Sequence, residues 1–216
     1  MSDSESGVHI LERKWVLSEQ VFIDNKVDRR RGYDNSFEKL CTIGTLETFW
    51  SYWKVLPAIS DVFFDGVEKT VECTTTKDGK TSTRSDRIIG QCIFTEGVNP
   101  KYEDPENEHG GRVVCVFGDQ DRNNLSVFWE AVVMGLIGES LDGDNNITGA
   151  RVIDKSNTGS KQVSHRVEIW FRDWENETFK QSILQAVKDL IQECGCVTTD
   201  VSLDINDRKK YACPVS

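Results

Sequence analysis

Three stretches of this chain repeat apolar residues at helical spacing, and each is flanked by shorter runs rich in β-branched and aromatic residues. That alternation constrains the fold more than any other feature. A helix with an apolar stripe must lay it on something, and strands joined as neighbours offer one sheet face to all three. In the first stretch Leu46, Phe49, Trp50 and Trp53 recur at i, i+3, i+4 and i+7, with Thr45 at the N-cap and Pro57 as the stop. The second runs from about Leu125 to Glu139, its stripe formed by Val127, Trp129, Val132, Val133, Leu136 and Ile137, and Asp142-Gly-Asp-Asn-Asn ends it. The third, Asn176 to Glu193, carries Phe179, Ile183, Ala186, Val187, Leu190 and Ile191 on one side and is capped by Gly195.

Strands are expected at Lys14 to Ile23, Ile88 to Phe94, Arg112 to Phe117, Gly149 to Ile153, Ser164 to Phe171 and roughly Val197 to Ile205. Gly66 to Arg87 is polar and aperiodic, which reads as a surface loop or a polar hairpin with little function in its interior. The class is therefore α+β, one antiparallel sheet with helices on one face and the other face open. The length, 216 residues, suits one domain. Residues 1–8 read as a disordered tail and 9–216 as the domain, with the polar insertion at about 66–87.

With 26 Lys+Arg against 36 Asp+Glu the formal charge is −10, which argues against a broad basic face that coats nucleic acid, so any RNA contact must be local. No apolar run approaches the roughly 18 residues that cross a bilayer, and Met1 to Gly7 is polar with no signal core behind it, so a soluble cytoplasmic chain is expected. Seven cysteines without a CxxC pair or zinc spacing fit reduced thiols, no metal and no cofactor. Cys194-Gly-Cys196 is the one close pair and is open to a redox reading.

The chemistry concentrates in Asn99-Pro-Lys-Tyr-Glu-Asp-Pro-Glu-Asn107, followed by Gly110-Gly111-Arg112. An aromatic beside an acid suits guanine, because one carboxylate accepts both N1–H and the exocyclic amine. A guanine methylated at N7 is cationic, so an aromatic face gains stacking and cation–π attraction. Glu103 and Tyr102 fit these roles. The same segment also reads as a turn in which Tyr102 packs on the sheet and Glu103-Asp104 caps the loop.

His9 to Leu17 (HILERKWVL), Thr42 to Trp53 (TIGTLETFWSYW), Pro100 to Arg112 (PKYEDPENEHGGR), Phe128 to Glu139 (FWEAVVMGLIGE) and Gly149-Ala150 followed by Glu168-Ile-Trp170 resemble, in family order, the eukaryotic translation initiation factor 4E family. The resemblance implies one curved antiparallel sheet of about eight strands, three helices on its convex back and a slot for the mRNA 5′ cap in its hollow. It implies stacking of the methylated guanine between Tyr33 and Tyr102, where the family has two tryptophans. It gives the base edge to Glu103 and the N7-methyl contact to Trp170, and the cap phosphates to Arg112, Lys155 and Arg166, with Lys161 competing with Lys155. Arg208, Lys209 and Lys210 are placed near nucleotides beyond the cap.

On the back of the sheet the resemblance implies a docking surface of His9, Leu46, Trp50, Met134 and Gly138 for a helical Tyr-x-x-x-x-Leu-apolar peptide, from a scaffold factor of the 4G kind or a 4E-binding regulator. Ile10, Glu130 and Ala131 depart from the family there, where it has Pro, an apolar residue and an acid. The implied function is cap recognition and recruitment of a scaffold or regulator in translation initiation. The alternative is an interaction module with weak or no cap binding that acts as a repressor or adaptor. An enzyme is not expected, because no carboxylate cluster suits a divalent metal and no His has a nucleophile partner.

Overall fold

The computed structural model describes residues 7–22, 36–77, 80–197 and 200–206. Among them nine strands run in chain order: β1 (Ile10–Val21), β2 (Phe37–Thr45), β3 (Val71–Lys77), β4 (Lys80–Asp86), β5 (Ile88–Thr95), β6 (Gly111–Phe117), β7 (Ile147–Asp154), β8 (His165–Phe171) and β9 (Asp200–Ile205). Seven form one sheet in the order β2-β1-β5-β7-β8-β6-β9, with every neighbour antiparallel. β3 and β4 pair only with each other, so the polar stretch is a hairpin.

The helices are α1 (Leu46–Trp53), α2 (Ile59–Val62), α3 (Arg122–Ile137) and α4 (Glu177–Glu193). Their ends follow local chemistry. The Thr45 hydroxyl accepts from the Thr48 amide at 3.1 Å, the Asn176 carboxamide accepts from the Phe179 amide at 3.0 Å, and Gly195 closes α4 at φ 67°. Two elements were invisible to periodicity: α2 is a single turn, and β2, with its Glu38-Lys39, is an edge strand held by β1 alone.

Alternate positions of the central strands, such as Val113 and Cys115, Val167 and Ile169, are fully buried in one core with Phe49 of α1, Phe128 and Trp129 of α3, and Ile183 and Val187 of α4. Val127, counted in the α3 stripe from sequence, is 52% exposed; its neighbour Phe128 points inward instead. The remaining strand positions face away from the helices. Gly149 on that face is a packing requirement, since a Cβ there would lie 2.4 Å from the Phe94 ring and 2.6 Å from the Ile93 carbonyl oxygen. Gly149→Ala is expected to destabilise the fold by about 1–3 kcal/mol through overpacking, which a denaturant melt will show as a lower midpoint at unchanged slope.

Candidate functional site

Strand register builds the site. Across β6, β8, β7 and β5 one row of the open face reads Arg112, Trp170, Gly149, Phe94; the next reads Val114, Glu168, Arg151, Cys92; the next Val116, Arg166, Ile153, Gly90. Side chains two apart share a face, so Arg166, Glu168 and Trp170 emerge together beside Arg112 and Arg151. Trp170 is fully buried, edge-on to Phe94 at 5.8 Å between ring centroids.

A hydrogen-bonded loop brings Tyr102 to the same place, with the exposed Glu103 next to it in the chain. The Asp104 carboxylate accepts from the Asn99 amide (2.8 Å), the Asn99 side chain (2.9 Å) and the Glu106 amide (3.1 Å), so it caps the turn. Asn107, fully buried, donates to the Asn99 and Lys101 carbonyls at 3.0 Å and accepts from the Thr148 hydroxyl at 2.7 Å. Of the turn reading, Asp104 is buried as the cap and Tyr102 packs on the sheet, while Glu103 is exposed and takes no part in the cap. The Tyr102 ring stacks on Trp170, with centroids 4.8 Å apart and planes 21° apart, and its hydroxyl meets the Arg112 guanidinium. In this state Tyr102 therefore covers the indole.

Arg112, 2% exposed, also pairs with Asp204 of β9, and its guanidinium carbon lies 4.8 Å from the Tyr102 centroid and 5.7 Å from that of Trp170. Arg151 sits 4.9 Å over Trp170 and donates from Nε to Glu168 Oε2 at 2.8 Å. The same carboxylate oxygen accepts the Trp170 indole N–H at 3.1 Å, while Oε1 faces Arg166 at 3.6 Å. Burial opposes the Glu168 charge more than any single neighbour favours it. Arg151, Arg112 and the hydrogen bonds from Arg151 and Trp170 together outweigh burial, and the carboxyl is held below its usual range.

Lys155 follows β7 directly, and its pKa is lowered by desolvation first and then by Arg151, with Arg166 and Arg112 adding and Glu168 opposing. These cations thus act on one another. Lys161 is exposed near the far end of the β7–β8 connection with φ 56°, and among the described residues no side-chain hydrogen bond ties it to the cluster. Tyr33 and the basic tail Arg208 to Lys210 lie outside the described residues. Arg151 and Asp204 are absent from the sequence reading, and Glu168 enters it only within the matching segment Glu168-Ile-Trp170, with no role assigned; the available signal was a charge inside otherwise apolar strands, GARVID and HRVEIWF. Beneath them the Cys92 thiol is pushed up to about 12 by burial, and burial and then Asp121 push Cys196 to about 12, which disfavours a thiolate in the Cys194–Cys196 pair.

On the helix side, His9 donates from its amide to Glu47 at 3.2 Å and its ring meets the same carboxylate at 2.7 Å, while its carbonyl accepts the Leu46 amide. Trp50 is half-buried on α1. Met134, 37% exposed, and Gly138 close α3, whose end is tied to β1 by Arg13 and Glu139 at 3.0 Å. A cavity of about 330 Å³ between α1, α2 and α3 is walled by Trp50, Trp53, Trp129 and Glu130.

The helix-backed antiparallel sheet matches solved structures in fold. C. elegans eIF4E-3 in complex with the 4E-binding protein Mextli matches with TM-score 0.67 at 21% identity, covering 95% of this chain and 96% of that one. Ascaris suum eIF4E-3 with m7G cap matches with TM-score 0.67 at 22% identity, covering 94% and 93%. In sequence, translation initiation factor isoform 4E of Arabidopsis thaliana is 26% identical over 197 residues, 91% of this chain and 84% of the relative. The family model described as Eukaryotic initiation factor 4E matches residues 10–199, and the chain belongs to that family.

Proposed function

We propose that the chain binds the 7-methylguanosine cap of mRNA on the open face of the sheet and a helical regulator or scaffold peptide on the helix side, and so acts in the control of translation initiation. The observation that carries the reading is the convergence of Tyr102, Trp170, Arg112, Arg151, Lys155 and Arg166 beside an exposed carboxylate, Glu103, on a loop fixed by Asp104 and Asn107. Tyr102 and Trp170 serve the base and Glu103 its Watson–Crick edge. The cations serve the phosphates, giving an acidic chain a local seat for an anion. Family membership supports both halves, and so do the structural neighbours, which were solved with m7G cap, with the 4E-binding protein Mextli, and with m7GpppA and 4E-BP.

A second reading, an interaction module with weak cap affinity, draws on Tyr102 lying over Trp170 with its hydroxyl on Arg112, since a ligand must displace that contact. Titrating 7-methylguanosine triphosphate and the bare 7-methylguanosine nucleoside at several salt concentrations tests the proposal. The triphosphate is expected to bind at least tenfold tighter, about 1.4 kcal/mol, with an advantage that shrinks as salt rises. Equal binding of the two, or none, favours the second reading.

A further inference from the structure

The proposed ligand is bipolar: a methylated guanine carries positive charge, and the phosphate chain beside it carries negative charge. A site built only of cations would hold the phosphates and repel the base. The conflict is acute here, because the Arg151 and Arg112 guanidinium carbons lie 4.9 Å and 5.7 Å from the Trp170 centroid, in the region a cationic base would approach.

We propose that Glu168 is a specificity-determining positioning residue that resolves this conflict: its buried carboxylate offsets Arg151 and Arg166 at the Trp170 end of the slot and fixes the indole plane through the ring N–H. The placement rests on geometry. Glu168 is 1% exposed, and one oxygen bridges Arg151 Nε at 2.8 Å and Trp170 Nε1 at 3.1 Å, while the other faces Arg166 at 3.6 Å. In such a dry setting a carboxylate acts strongly on neighbouring charge. An indole that donates its N–H to an anion also gains electron density, and its face attracts a cation better. Asp204 offsets Arg112 from β9, while Lys155, directly after β7, is left to the phosphates. The slot is thereby divided into an end that tolerates positive charge and an end that demands negative charge.

This inference rests on the cap-binding reading, and its test separates the two. Affinities for 7-methylguanosine triphosphate and for GTP are measured in the wild type, in Glu168→Gln and in Glu168→Asp. Glu168→Gln keeps an acceptor for the indole and removes the charge; the preference for the methylated ligand is expected to fall roughly tenfold, with GTP held as well as before or better. Glu168→Asp keeps the charge and is expected to keep most of the preference. A residue that only supported the fold would weaken both ligands alike. Should Glu168→Gln fail to fold, Arg151→Gln/Glu168→Gln removes both buried charges together, and the preference is again expected to fall because Arg166 is left without the carboxylate that faced it and the indole without its anionic acceptor. An unchanged preference in Glu168→Gln, or in Arg151→Gln/Glu168→Gln where only that variant folds, overturns the assignment and leaves cap binding standing. Absence of preference in the wild type overturns both.

Discussion

Arg151→Met is expected to destabilise the protein by about 3–5 kcal/mol, because it strands the Glu168 carboxylate in a site that is 1% exposed. Arg151→Met/Glu168→Met is expected to lie much closer to the wild type, since removing both charges relieves their desolvation as well as their attraction. The Glu168 pKa is depressed in the folded state, so its contribution is fully present above the ordinary glutamate value of 4.5 and is lost as the pH falls through the lower folded value. Wild-type stability should therefore drop on acidification below that value, and the double variant should show a shallower slope. Guanidinium melts across that range measure it. Equal losses in the single and double variants would mean that the pair is not what holds this part of the sheet.

Glu103→Ala is expected to weaken binding of the methylated cap by two to three orders of magnitude, about 3–4 kcal/mol, with little change in folding stability. The argument is a count of bonds. A charged acceptor taking two donors from one base loses about 1.5–3 kcal/mol for each bond. Glu103 is exposed and, among the described residues, makes no side-chain hydrogen bond of its own, whereas its neighbour Asp104 holds the loop. Asp104→Ala should accordingly lower stability and binding together, a pattern distinct from that of Glu103→Ala.

The helices were legible because their ends are written in single residues, Thr45, Asn176 and Gly195, and their stripes in simple spacing. The α3 boundary residues and the inward turn of Phe128 were not, because a helix buried over a wide arc blurs its own stripe. Tyr102 and Glu103 could be singled out because an aromatic beside an acid in a turn-rich loop has a chemical reading, whereas Arg112 and Trp170, on strands β6 and β8, were named by the family resemblance alone. Arg151 and Glu168 could not be singled out, since their meaning depends on cross-strand register that places Arg151 opposite Glu168, and register is a tertiary property. The contact between Tyr102 and Trp170 likewise joins residues far apart in the chain.

The most direct measurement is a titration of the wild-type protein with 7-methylguanosine triphosphate and, in parallel, with GTP, followed by quenching of tryptophan fluorescence. Cap recognition through Tyr102, Glu103 and Trp170 requires clear preference for the methylated ligand, because the two nucleotides share every phosphate contact and differ in the charge of the base. Equal affinity for both would contradict it.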